Sequence, residues 1–240
     1  MRHVSAKFVP RFLTDDQKEK SVEISQELLA NANGNENFLK NIITGDEMWV
    51  YGCDVETKMQ SSQWMGKGSP RPKKAQMSWS KIKVILVVFF DWEGILHHQF
   101  VPSDQMVNRQ LYQKVLAHLR DAVRRERPEM WENQTWMLHH NAPAHASLLI
   151  RSYLAKHQTS IVPHPPYSPD LAPADFFLFP KLGTTLKGRR FQTTEESLEN
   201  AIKELCAITE SVFQEAFQQR KKCWEQCKAS RGDYFEGDSA

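Results

Sequence analysis

His164-Pro165-Pro166-Tyr167-Ser168-Pro169-Asp170-Leu171-Ala172-Pro173-Ala174-Asp175 is the stretch on which the rest of the chain depends. Four prolines fall within residues 164–173, which forbids both a regular helix and a central strand there. Ile161-Val162 ahead of it read as the end of a buried strand, and Phe176-Phe177-Leu178-Phe179 after it as the opening of an apolar helix. The prolines reduce what the unfolded chain loses on ordering. Asp175 therefore arrives at a fixed place near a helix N-terminus, where a carboxylate is favoured. Taken alone, the segment reads either as an N-cap aspartate after a turn or as a stiff strap delivering one acid to a metal.

Working outward, the chain of 240 residues is long enough for one large domain with a full core. Hydrophobic residues make up 40% and charged residues 25%, which is ordinary for a soluble globular chain. The net charge of +2 does not announce a polyanionic partner, so the distribution of charge must carry that argument. Cys53, Cys206, Cys223 and Cys227 form no CxxC pair and read as reduced thiols. The longest apolar run, Val84 to Phe90, is too short to cross a bilayer, so no membrane partner is expected. No small-molecule substrate is expected either.

Thr14-Asp15-Asp16-Gln17 is a capping-box pattern that predicts a helix to about Ala32, with Val22, Ile24, Leu28 and Leu29 as its apolar stripe. Phe38 to Ile43 reads as a short helical link, and 46–53 as a strand with Asp46, Met48 and Val50 on one face and Glu47, Trp49 and Tyr51 on the other. Residues 56–83 form a polar loop in which Lys67, Arg71, Lys73 and Lys74 are interleaved with Trp64 and Trp79. That pattern suits either a DNA-gripping arm or a solvated loop with two anchoring tryptophans. Val84–Phe90 is apolar throughout and predicts a strand covered on both faces. Asp91-Trp92-Glu93-Gly94 is a hairpin turn, and Ile95–Val101 returns antiparallel. A long amphipathic helix is expected from Asp104, ending in the basic cluster Arg120, Arg124, Arg125 and Arg127. Thr135–His140 reads as a strand, Ala144–Lys156 as a helix and Ser160–Val162 as a short strand. Beyond the strap come a helix from Asp175 to about Leu186, a basic turn (Lys187, Arg189, Arg190) and helices at about 194–207 and 209–228.

Several blocks in order resemble the mariner branch of the Tc1/mariner transposases. They are Thr44-Gly45-Asp46-Glu47-Met48-Trp49, Leu138-His139-His140-Asn141-Ala142-Pro143-Ala144-His145, the proline strap itself, and the ending Gly232-Asp233-Tyr234-Phe235. Long blocks in order are far more specific than one short motif. The resemblance, together with the order of elements, implies an α/β RNase H-like domain with a mixed central sheet flanked by helices. It divides the chain into 1–43, a linker with an N-terminal helical segment, and 44–240, the catalytic domain, with 56–83 as a clamp-like loop. Phe8-Val9-Pro10 resembles the family's dimerising linker, with Phe in place of Trp, and also reads as a plain N-terminal strap. The family's helix-turn-helix modules precede that linker, and none is read in these residues. A mariner domain also occurs fused to a SET methyltransferase; no SET segment is read here, so methylation is not expected.

The implied chemistry is DNA cleavage and strand transfer with two Mg²⁺ or Mn²⁺ ions held by three aspartates. Asp46 and Asp175 match the first and third. The second slot holds His140, which has the family's spacing to Asp175, with 34 residues between. A substitution and a one-codon deletion both explain this. Histidine adds no negative charge, so the ions are expected to bind weakly if at all, and cleavage to be impaired. Glu47 is expected to point away from Asp46, Asp170 to cap a turn, and His145 to support the site. Of His139 and His140, the plain reading is one buried and hydrogen-bonded and one at the surface. Expected partners are DNA, through phosphate contacts from Lys67, Arg71, Lys73, Lys74, Arg124, Arg125, Lys187, Arg189 and Arg190, and a second copy of the chain. The expected location is the nucleus. The alternative reading is a non-catalytic DNA-binding or dimerising module.

Overall fold

The computed structural model describes residues 9–51, 64–66, 83–101, 105, 107–139, 147–186, 191 and 193–235. The expectations for Phe8, Cys53, Lys67, Arg71, Lys73, Lys74, Trp79, His140, Asn141, His145, Lys187, Arg189 and Arg190 lie outside the described residues.

The sheet begins with a meander. β1 (Ile42–Tyr51) pairs antiparallel with β2 (Lys83–Phe90), which pairs antiparallel with β3 (Ile95–Val101). On the other side of β1 lie β4 (Met137–His139) and then β5 (Ser160–Ile161), both parallel. The strand order β3-β2-β1-β4-β5 is that of the expected RNase H-like arrangement, with β1 at the centre.

β2 is covered on both sides, as its unbroken apolar run requires. Leu86, Val88 and Phe90 enter one core cluster, while Val87 and Phe89 enter the other. The first cluster packs β1 and β2 against α1 (Asp15–Gly34), α5 (Phe179–Leu186), α6 (Thr194–Cys206) and α7 (Glu210–Ala229). The second packs the opposite face against α2 (Arg109–Glu126) and α4 (Leu148–Lys156).

Several local expectations are met. Thr14 caps α1 with a complete capping box. α6 and α7 fall within about one residue of their expected ends. Others are corrected by tertiary contacts. The link at Phe38 to Ile43 is a turn, and β1 starts at Ile42 because Ile42 and Ile43 pair with Met137 and Leu138 of β4. α1 buries Ser21, Ser25, Leu28 and Ala32. Small residues let α7 approach closely there, and the Cys227 thiol donates to the Ser21 carbonyl at 3.7 Å. The regular helix of α2 starts at Arg109, capped by Asn108, whose side chain accepts from the Leu111 N–H. α3 (Pro128–Glu132) was not anticipated. Ile161 is 46% exposed, since β5 is the sheet's outer strand.

The hairpin turn is held from outside. Asp91, 1% exposed, accepts from the N–H groups of Glu93 and Gly94 and receives a two-point bond from Arg127 at 2.8 and 3.1 Å. Burial pulls the Arg127 guanidinium down, and its bonds to Asp91 more than compensate. Arg127 is thereby removed from the basic cluster and serves the fold; removing either partner of such a pair costs roughly 3–5 kcal/mol.

The C-terminal tail closes the molecule. Lys18 pairs with Asp233 at 2.6 Å. Gly232, at φ +80°, lies against the Lys18 backbone, where any Cβ would collide. The Tyr234 hydroxyl donates to the Arg11 carbonyl, and the Phe235 N–H donates to Asp170. Asp170 thus ties the strap to the tail, a longer-range role than the expected turn cap.

Candidate active site

The centre of β1 carries the first acid. Gly45 sits so close to β2 that a Cβ would overlap the Phe89 ring and the Val88 carbonyl. Only glycine permits that approach, and it fixes the backbone one residue before Asp46. Asp46 is half-buried, lies opposite Val88, and accepts from the Glu47 N–H at 2.8 Å.

Glu47 does not turn away, contrary to the alternation argument. Its carboxyl is pushed above its ordinary value, chiefly by burial, and this is partly offset by a hydrogen bond with the Asp46 side chain. A long side chain on the adjacent residue bridges what strict alternation of faces separates. The buried Tyr112 phenol of α2 is pushed well up by burial and, secondarily, by the charges of Glu47 and Asp46.

The strap delivers the second acid. Pro169–Leu171 form a 3-10 turn, and Ala174–Leu178 form a π-helical turn that runs into α5. Leu171, Ala172, Ala174 and Leu178 are all buried, which seats the strap on the core. Asp175 lies half-buried in the first part of the π-helical turn, its N–H donating to the Ala172 carbonyl at 2.9 Å. This turn packs against β1, so the structure brings the element bearing Asp175 onto the strand bearing Asp46.

Beside β1 ends β4. His139 is 1% exposed and lies opposite Thr44, two residues before Asp46. Its Nδ1 is 2.9 Å from the Thr44 hydroxyl, and its Nε2 is 2.8 Å from Nδ1 of His164, the first residue of the strap. The two rings meet edge to face at 4.7 Å. This is the buried, hydrogen-bonded histidine that the plain reading of the pair required. The role of His164 was missed; its place at the head of the strap, parallel to the end of β4, was the available signal. Among the described residues no group of three or more His, Cys, Asp or Glu side chains is placed to hold a metal ion. The donors that fit a hard divalent cation are the carboxylates of Asp46 and Asp175.

The basic residues divide. Arg124 and Arg125 are exposed at the end of α2, beside Asp121 and Glu126. Arg120 is drawn inward, with its guanidinium 5.0 Å above the Trp131 ring. In the linker, Val9 is half-buried and Pro10 exposed, and the Arg11 guanidinium stacks 4.7 Å above Tyr167 of the strap. Cys206, Cys223 and Cys227 are free thiols.

Comparison with known proteins is consistent across methods. A family model described as a transposase, partial DDE domain, matches residues 54–133. The Mos1 mariner transposase of Drosophila mauritiana is 30% identical over 96% of this chain, and the match spans 66% of that protein. The human histone-lysine N-methyltransferase SETMAR is 27% identical over 96% of this chain, and the match spans 33% of it. The chain therefore spans no more than about two thirds of the length of these relatives. The crystal structure of the Mos1 paired-end complex with Mn superposes with a TM-score of 0.87 at 29% identity, covering 98% of this chain and 68% of that one. The Mos1 catalytic domain alone gives 0.79 at 28% identity, covering 95% of this chain and all of that one.

Proposed function

The chain belongs to the mariner transposases, in the region of their catalytic domain, and from that premise we propose that it is a DNA-handling domain built for metal-assisted strand cleavage and transfer whose own turnover is impaired. The observation that carries this reading is the seating of the Asp175-bearing turn on β1, the strand that carries Asp46. A divalent ion bound by these carboxylates would supply Lewis acidity and a lowered water pKa for an in-line displacement at phosphorus. The chain's own contribution is positional. Gly45 fixes the Asp46 backbone against β2, the buried strap residues fix Asp175, and the Thr44–His139–His164 chain pins the end of β4 to both.

Impairment follows from charge. Asp46 and Asp175 bring two negative charges, and His140, at the family's spacing from Asp175, adds none. Glu47 is close to Asp46, but burial favours its neutral form, so it substitutes poorly. As a nitrogen donor, His140 suits Mn²⁺ or Zn²⁺ better than Mg²⁺. The partner is DNA, gripped through phosphates by the basic residues Lys67, Arg71, Lys73 and Lys74, by Arg124 and Arg125, and by Lys187, Arg189 and Arg190. Mos1 has been crystallised as a paired-end complex with Mn, which supports both the metal class and the DNA. A chain that acts on DNA would work in the nucleus.

A second reading, a non-catalytic DNA-binding or dimerising module, is favoured by one observation. Phe12 is 91% exposed on the linker that also carries Phe8, Val9 and Pro10, and a second copy of the chain would cover it.

Phosphate-driven binding has a direct test. Duplex affinity in gel-shift assays is expected to fall by at least about a hundredfold between roughly 50 and 200 mM salt. Replacing Arg124 and Arg125 with alanine should flatten the salt slope by about one per lost phosphate contact. Binding to a terminal repeat that withstands high salt and outcompetes unrelated duplex would contradict this reading.

A further inference from the structure

We propose that a cavity between the C-terminal ends of α3 and α4 is a pocket for one unstacked base of single-stranded DNA. The cavity has a volume of about 130 Å³ and is lined by Arg120, Trp131, Gln134, Trp136, His157 and Gln158. Trp136 immediately precedes β4, so the pocket lies at the opposite end of that strand from His139 and apart from the carboxylates.

Three features make it a built site. First, the floor is aromatic and cationic. The Arg120 guanidinium lies 5.0 Å over the Trp131 ring. Among the described residues its hydrogen bond is to the His157 carbonyl, at 3.4 Å, which is long for a charged donor. Arg120 therefore retains both a stacking face and N–H groups for a ligand. Second, two solvent-exposed glutamines line it from symmetrical positions. Gln134 follows the C-cap of α3 and Gln158 follows the C-cap of α4, and both hold left-handed backbone, at φ 50° and 53°. Glycine is the usual residue at such a cap. Both helices instead place a glutamine there, and both glutamines line this one cavity. Third, Arg124 lies one helical turn beyond Arg120 and is exposed, so it can meet a phosphate outside the mouth.

These features select the ligand. A purely apolar ligand would gain nothing from the exposed glutamines and would strip water from the half-buried Arg120 guanidinium without replacing its hydrogen bonds. A metal ion finds no carboxylate in the lining. A planar base stacks on indole or guanidinium faces while paired donors and acceptors on the amides meet its edge. The volume suits one base, with its sugar and phosphate left outside. The choice of a nucleic acid as ligand rests on the DNA-handling function proposed above.

The test is photocrosslinking of the whole chain to a short oligothymidylate carrying a single 5-iododeoxyuridine, with the attachment site read by mass spectrometry. Wild type is compared with the Gln134→Gly/Gln158→Gly double variant. Glycine relaxes both left-handed caps, so the variant should fold with an unchanged or higher Tm. The crosslink is expected at Trp131 or Trp136, with a yield about fivefold or more lower in the variant, the low end of what two lost hydrogen bonds contribute. Low-salt affinity for DNA should be retained. Crosslinks confined to other residues such as Trp49 or Trp64, or equal yield in the double variant, would overturn the pocket while leaving the DNA-handling function standing. Absence of any low-salt DNA binding would overturn that function, and the ligand assignment with it.

Discussion

Replacing His140 with aspartate is expected to raise Mg²⁺-dependent nicking of supercoiled DNA by on the order of a hundredfold or more, because misplacing the reacting groups by about an ångström already costs that much. In the proposed site the substitution would supply the third carboxylate, and it replaces a nitrogen donor with the oxygen donor that Mg²⁺ prefers. The same experiment separates the two origins of the missing acid. β4 keeps Leu138 in the core and His139 opposite Thr44. A one-residue slip upstream would have turned both to the wrong faces. The strand is thus in register up to His139, and His140→Asp should restore more activity than insertion of an aspartate between His140 and Asn141. Nicking is measured in Mg²⁺ and in Mn²⁺, with Asp46→Ala added to the rescued chain as the control. Equal inactivity of the rescued chain and the original would show that charge in this slot is not what limits turnover.

Replacing Arg220 with leucine or methionine is expected to stabilise the protein by about 2–4 kcal/mol, within the range seen when buried ionic groups give way to apolar side chains. For a chain of this size that is roughly 5–15 °C in Tm. Arg220 on α7 is fully buried, and among the described residues none of its three guanidinium nitrogens has a hydrogen-bond partner. Its compensation is the Trp224 ring, 5.1 Å away. Burial pulls its pKa down to about 9. The sign follows directly. The unfolded chain binds this proton more tightly than the folded one, so the penalty is fully present below about pH 9 and is relieved as pH rises further. The stability gap between wild type and Arg220→Leu should therefore be constant from neutral pH to about 9 and narrow above it, as read by denaturant melts across that range. A variant less stable than wild type would show that α7 depends on the charge.

Much of this fold is legible in the sequence because its signals are local. The Thr14 capping box, the unbroken apolar run of β2, the Asp91–Gly94 hairpin and the stiff strap each declare themselves within a few residues. What was not legible depends on contacts between distant segments. β1 extends back to Ile42 because β4 lies beside it. α1 buries serines because α7 packs there. Arg127 reads as part of a basic cluster until Asp91, far away in sequence, is seen to claim it. The site shows the same division. Asp46 and Asp175 are proposed from their motifs, and the structure shows the turn that carries Asp175 packed on β1. The Glu47–Asp46 contact and the His139–His164 bond require the folded chain.

In the site proposed on β1 and the strap, two aspartates stand where a two-ion centre needs a third acid. Titration of the chain with Mn²⁺, followed by calorimetry and by the electron paramagnetic resonance of the free ion, tests it most directly. The account predicts at most one weakly bound ion, lost in Asp46→Asn and in Asp175→Asn. Two tightly bound ions in the unaltered chain, or binding that survives both substitutions, would contradict it.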